Sequence, residues 1–336
     1  MAGALVEATD RVGVSPTVAT ILEVQRESGM VPWFPGGHAD PWNHVEAVMA
    51  LAAAGELAAA ARGLGWLARA QLPDGGWHAY YACDGTVEEP RIDTNGVAYV
   101  ATGVLEYLLA SGDLGAVEGL FAVVERALAF VLGLMGPAGD VPWSVEPSGR
   151  PADSSLLAAS SSIYQSLGSG VRLAAALGVE RPAWVEAAAR IGRRVMVRES
   201  CFADNSQFAM DWYYPALAGV LGRAASRARL GARLGEFVLP ARGVLCRSDR
   251  RWVTTSETAE CAVALARVGW TDRASALLAT TEDLRCADGS YLTGLVHPER
   301  SEFPPGERTT YSAAAVVLAT DVLAGGVSAA VFDRLA

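Results

Sequence analysis

The 336-residue chain contains no lysine, so all 27 of its basic residues are arginine. This excludes a Walker-type phosphate loop, whose lysine reaches the β/γ-phosphates, and lysine Schiff-base cofactors such as pyridoxal phosphate. Cysteine is sparse and unpatterned. Cys83, Cys201, Cys246, Cys261 and Cys286 are odd in number and lack CxxC spacing. Neither a disulfide framework nor a cysteine-rich zinc site is indicated, and a reduced, cytoplasmic setting fits best. The longest apolar runs are broken by Glu118, Glu125, Arg126 or Asp321, so no segment reads as membrane-spanning. The segment from Met1 to Glu7 lacks the basic and apolar regions of a secretory leader. A net charge of −10 provides no general basic field for nucleic acid. Strong β signals are few.

What the chain does have is helical periodicity, in segments that alternate between a charged amphipathic kind and a small-residue, nearly uncharged kind. The charged kind suits an outer layer: residues 16–28, 56–72, 114–135, 182–198, 226–239 and 272–285. The small-residue kind suits an inner layer: residues 43–54, 94–111, 155–177, 212–224, 255–268 and 309–324. Outer segments lead into inner ones through long aromatic- and Gly-rich loops, and inner segments return through short turns such as Ala54-Gly55 and Ser111-Gly112. The expected fold is all-α, an (α/α)6 toroid of six outer–inner hairpins. Residues 1–336 read as a single domain with a core at about 14–326.

The loops echo one another. Gly29-Met30-Val31-Pro32-Trp33 recurs as Gly139-Asp140-Val141-Pro142-Trp143, and Asp74-Gly75-Gly76-Trp77 recurs loosely as Asp288-Gly289-Ser290-Tyr291. In the stretch from Gln71 to Trp77, Pro73 stops the helix, Gly75 and Gly76 permit positive φ, and Trp77 supplies an apolar plug with one donor. This stretch resembles the QW motif of the terpenoid cyclase and protein prenyltransferase superfamily. The resemblance implies a prenyltransferase-like or cyclase-like enzyme acting on an isoprenoid in an aromatic-lined cavity. It also makes demands that the sequence does not meet. There is no Asp-x-Asp-Asp for alkene protonation, Asp93 in Arg91-Ile92-Asp93-Thr94-Asn95 being the nearest in setting. No Asp-x-Cys heads an inner helix, so zinc is not expected, while magnesium stays compatible with a diphosphate substrate. The residues themselves assign no metal site, although His38, Asp40, His44 and Glu46 are dense in ligand atoms.

In such a toroid the heads of all inner helices converge on one mouth. Candidate catalytic groups there are Asp93, Asp211, Glu257 and Glu260. Candidate substrate-binding residues are His38, Asp40, Trp42, Trp77, Arg91, Asn95, Trp212, Tyr213, Tyr214, Arg308 and Tyr311. Helix N-termini also attract acids as caps, a role open to Asp93, Asp211 and Glu257. Glu260, one turn past Glu257 on an apolar helix, requires a partner. Arg91, Arg150, Arg250, Arg251 and Arg308 in the long loops would suit a diphosphate or carboxylate. Tyr99, Tyr107 and Tyr164 would join the other aromatics on the lumen wall, either facing a cation or a sugar or filling the core.

Three readings follow. The first is the isoprenoid enzyme. The second is a carbohydrate-active enzyme, a glycosidase, epimerase or lyase, with paired carboxylates such as Asp93 or Asp211 with Glu257. The third is a non-catalytic binding toroid whose lumen is filled. All take a small-molecule partner, isoprenoid or sugar. The first is compatible with peripheral membrane contact.

Overall fold

The computed structural model describes residues 15–197 and 199–332. The N-terminal stretch read for a leader and Arg198 lie outside the described residues. The hairpins are α1 (Ser15–Val24) with α2 (Pro41–Ala53), α3 (Leu57–Ala70) with α4 (Thr94–Ser111), and α5 (Leu114–Leu134) with α6 (Leu157–Ala176). They continue as α7 (Pro182–Val197) with α8 (Ala209–Leu217), α9 (Arg223–Phe237) with α10 (Thr255–Arg267), and α11 (Thr271–Ala279) with α12 (Thr310–Leu323).

The even-numbered helices pack α2 on α4, α4 on α6, and so on around to α12 on α2, closing an inner ring that the odd-numbered helices surround. Small residues set the close approach. A Cβ on Gly103 of α4 would come within 2.7 Å of the Val45 side chain on α2, and one on Gly63 of α3 within 2.4 Å of Val48. The expected (α/α)6 toroid is therefore the observed fold. The inner helix α8 is shorter than its segment implied, with Pro215 inside it and its end at Leu217.

The turn from Gln71 to Trp77 staples one outer helix to the next. Gln71 Nε2 donates to the Gly75 carbonyl (3.0 Å) and to the Val123 carbonyl of α5 (2.9 Å). Arg126 of α5 donates back to Gln71 Oε1. Gly75, at φ 100°, lies so close to α5 that a Cβ would fall 2.3 Å from the Arg126 carbonyl oxygen. The preceding hairpin repeats the device: Gln25 donates to the carbonyls of Gly29 (3.1 Å) and of Ala59 on α3 (2.9 Å). The motif thus serves ring assembly.

A second device explains the repeated Val-Pro-Trp. The first residue of α4, Thr94, donates its N–H to the Trp143 carbonyl (3.1 Å) and its hydroxyl to the Pro142 carbonyl (2.7 Å). Thr310, heading α12, does the same to Trp33 (2.7 Å) and Pro32 (2.8 Å). Thr255, heading α10, clamps the carbonyls of Thr293 (3.1 Å) and Leu292 (2.7 Å). These three of the six inner-helix heads are each pinned to a neighbouring loop, which gives the mouth a collar of loops on their side.

The sparse β signals conceal real strands. β1 (Tyr80–Tyr81) pairs with β2 (Val87–Glu89), and β3 (Ile92–Asp93) with β4 (Ser144–Val145), setting Asp93 opposite Ser144. β5 (Val238–Leu239), β6 (Gly243–Leu245), β7 (Trp252–Thr254), β8 (Gly294–Val296) and β9 (Ser301–Glu302) form one antiparallel sheet on the collar. At the opposite end of the ring, the short α13 (Val327–Val331) packs on α12, α4 and α2. No helix among the described residues is long and apolar enough to cross a membrane.

Candidate active site

A cavity of about 310 Å³ opens among the heads of the inner helices. Its wall carries Asp40, Glu46, Asp93, Glu257 and Glu260, the aromatics Trp33, Trp42, Tyr80 and Tyr311, and Asn43, Asn95, Ser256 and Met210. No basic side chain is among these lining residues.

Asp40 precedes Pro41 and caps α2. Its carboxylate accepts from the Asn43 N–H (3.0 Å), Asn43 Nδ2 (2.7 Å) and the Trp33 indole (2.6 Å). Burial nevertheless pushes its proton affinity above the ordinary aspartate value. Asp93, heading α4, makes no side-chain cap and keeps one buried oxygen without a hydrogen bond. Burial raises its pKa to about 6; Arg91, 3.4 Å away, pulls it down, and the charge of Asp40 pushes it up. Glu257, in the first turn of α10, accepts from the Ser256 hydroxyl (2.7 Å). Since α4 and α10 occupy opposite positions in the six-helix ring, Asp93 and Glu257 face each other across the mouth.

The floor is a second carboxyl pair. Glu46 of α2 and Glu260 of α10 lie within hydrogen-bonding reach of each other, and the Tyr213 hydroxyl donates to Glu260. Burial raises Glu260 to about 7 and Glu46 well above the glutamate range, with the neighbouring carboxylate charges adding to the effect on Glu46. Trp42 of the wall stacks on the buried Tyr99 with centroids 4.3 Å apart, and the buried Tyr214 lies 5.8 Å from Trp42, so aromatic rings pack together behind the wall. The expected prenyl-sized lumen is filled with aromatic core.

Several candidates lie away from the cavity. Trp77 is fully buried and donates to the Leu67 carbonyl (2.9 Å) as part of the outer-helix staple. Asp211 accepts from the Ala158 N–H (3.1 Å), capping the neighbouring α6. Trp212 points outward, stacked on Phe237 at 5.1 Å and bonded to the Arg229 carbonyl. Tyr213 and Tyr214 are buried around the floor and do not line the cavity. Tyr164 likewise faces the outer helix α7 at Gly192. His38 sits at the rim, against Trp33, Tyr80 and Glu88. His44 is a core residue: its Nδ1 accepts from the Val31 N–H (3.0 Å) and its Nε2 bonds the Gly63 carbonyl (3.1 Å).

The arginines do not build an anion site. Arg91 lies over Trp143 and pairs with Asp93, Arg150 pairs with Asp153, and Arg308 pairs with Asp288 on the exposed surface. Among the described residues no three His, Cys, Asp or Glu side chains gather into a metal-binding group. Trp33 and Met210 were missed as wall residues, and Asn43, Glu46, Tyr80 and Ser256 line the cavity although they stood outside the candidate catalytic and binding set. Trp33 was read only as a loop marker, and Met210 carries no polar signal.

No protein-family model matches the chain. It is 41% identical over 307 residues to the MMP endo-(1,4)-3-O-methyl-alpha-D-mannosidase of Mycolicibacterium hassiacum, covering 91% of this chain and 85% of that protein. A wild-type glycosidase superposes with a TM-score of 0.73 at 16% identity, over 94% of this chain and 99% of that one. A sugar epimerase from a ruminal bacterium gives 0.71 at 10% identity, over 92% and 96% of the two chains. The GH63 mannosylglycerate hydrolase from Thermus thermophilus gives 0.71 at 15% identity, over 91% and 99%. At such low identities the structural likenesses speak for the fold alone. The curated relative overturns the terpenoid cyclase and prenyltransferase resemblance, and with it the isoprenoid substrate and enzyme type. The turn that carried the resemblance staples α3 to α5 and contributes no residue to the cavity wall.

Proposed function

Because the chain belongs to the family of the Mycolicibacterium hassiacum MMP endo-(1,4)-3-O-methyl-alpha-D-mannosidase, we propose that it is a glycoside hydrolase cleaving α-(1,4) bonds within a 3-O-methylated mannose chain. The observation that carries this reading is the cavity wall: carboxyl groups from several helix heads, aromatic faces, and no basic side chain. Such a wall repels a diphosphate and suits a neutral polyol, whose hydroxyls donate to carboxylates and whose C–H faces lie on aromatic rings.

Glycoside hydrolysis takes a carboxylic acid to protonate the leaving oxygen and a carboxylate on the other side of the sugar to attack or to activate water. Glu257 is the carboxylate in this reading, steadied by the Ser256 hydroxyl. The proton comes from Asp93, opposite Glu257, with Asp40 on the adjacent α2 head acting on it. Asp40, surrounded by three donors, carries the negative charge, and burial together with that charge raises Asp93 to about 6 against the pull of Arg91, so that a protonated fraction of Asp93 serves as the acid.

Leaving-group dependence tests the assignment. Asp93→Asn is expected to lose roughly 10²–10⁴-fold in kcat on a mannan oligosaccharide and far less on an aryl mannoside whose leaving group departs unprotonated. If Asp40→Asn shows that contrast and Asp93→Asn does not, Asp40 is the donor. Glu257→Gln should be inactive on both substrates.

A further inference from the structure

At about 310 Å³ the cavity is at the lower end of ligand pockets, so most of a long sugar chain must lie outside it. In the loop that leads into α12, Phe303 is 50% exposed and is the one aromatic among the large exposed hydrophobic side chains of the described residues. It meets Trp252 of β7 at 5.3 Å and 88°, a perpendicular contact in which Trp252 is half-buried and Phe303 exposed. The arrangement is fixed by the backbone. The Trp252 indole donates to the Phe303 carbonyl (3.0 Å), and the Phe303 N–H donates to the Gly294 carbonyl (3.0 Å). Gly294 makes room for the indole, since a Cβ there would fall 2.4 Å from Trp252 Nε1.

The pair also joins the two segments that feed the cavity. Two residues of strand, about 7 Å, separate Trp252 from Thr254, the N-cap of α10, whose first turn delivers Glu257. The loop after Phe303 leads into α12, which delivers Tyr311. We infer that Trp252 and Phe303 form a second sugar-binding platform, which takes mannosyl units of the same polymer beyond those held in the cavity; this rests on the hydrolase reading above. Its direct chain connection to α10 and α12, which carry Glu257 and Tyr311 of the cavity wall, favours the substrate chain as the occupant, and the exposed Arg251, Ser301 and Glu302 flanking the pair in sequence can bond sugar hydroxyls.

The test compares wild type, Phe303→Ala and Phe303→Trp on a long 3-O-methylated α-(1,4)-mannan oligosaccharide and on an aryl α-mannoside that reaches only the cavity. Phe303→Ala should raise KM for the oligosaccharide roughly tenfold, the equivalent of one lost aromatic contact. It should leave kcat and the aryl mannoside kinetics unchanged, and Phe303→Trp should restore the wild-type KM. An unchanged oligosaccharide KM, or equal losses on both substrates, would overturn the platform. So would a shift in sedimentation on Phe303→Ala with KM unaltered, which would assign the patch to a second copy of the chain. Wild-type inactivity on both substrates would instead refute the hydrolase reading, so the two failures are distinguishable.

Discussion

The carboxyls of Glu46 on α2 and Glu260 on α10 meet within hydrogen-bonding reach at the cavity floor. Two carboxyls sustain that contact only by holding a proton between them. Glu46→Gln supplies a permanent N–H donor in place of that proton, so the protein is expected to keep or gain stability at neutral pH. Glu46→Ala leaves Glu260 buried without its partner and should lose ~1–3 kcal/mol. Urea melts of the two variants at neutral pH check both outcomes.

At the closed end of the ring the Ser328 hydroxyl of α13 donates to Glu106 Oε1 (2.7 Å), and burial raises Glu106 from 4.5 to about 8. The folded protein therefore keeps a proton that the unfolded chain releases. The stability linked to Glu106 is fully present below pH 4.5 and declines as pH rises toward about 8. Glu106→Gln should flatten the stability profile across that window. Thermal melts from acid to mildly alkaline pH would refute the assignment if both proteins kept the same slope.

Gly75 and Gly112 both have positive φ, but only Gly75 is packed against another helix. A Cβ at Gly75 would fall 2.3 Å from the Arg126 carbonyl oxygen, whereas one at Gly112 would meet nothing within 4 Å. Gly112→Ala is expected to cost about 1 kcal/mol from backbone strain alone. Gly75→Ala must also push α5 away, and should melt several degrees lower than Gly112→Ala. Equal melting temperatures would mean that the turn does not staple α3 to α5.

The helical ring was legible because long amphipathic and small-residue segments carry their period over many residues, from Leu114–Leu134 outside to Thr94–Ser111 inside. The collar sheet was not, since strands of two or three residues such as Val238–Leu239 are too short for alternation to register. The convergence of Asp40, Asp93, Glu257 and Glu260 follows from helix heads meeting at one end, and the sequence supports that much. Which side chains turn inward does not follow. Successive residues on α8 rotate by about 100°, so Asp211 caps a neighbouring helix and Trp212 faces α9, while Tyr213 reaches Glu260. The substrate was misread because the most distinctive motif, from Gln71 to Trp77, belongs to the scaffold. The groups that favour a sugar are dispersed carboxyls with no spacing signature.

Under the proposed function the cavity hydrolyses a mannose chain with Glu257 as the carboxylate and Asp93 or Asp40 as the acid. Mass spectrometry of a 3-O-methylated α-(1,4)-mannan incubated with purified protein tests it most directly. Shorter oligosaccharides with new reducing ends, produced by wild type and absent with Glu257→Gln, are the predicted result. An intact polymer with wild type, or equal cleavage by Glu257→Gln, would contradict it.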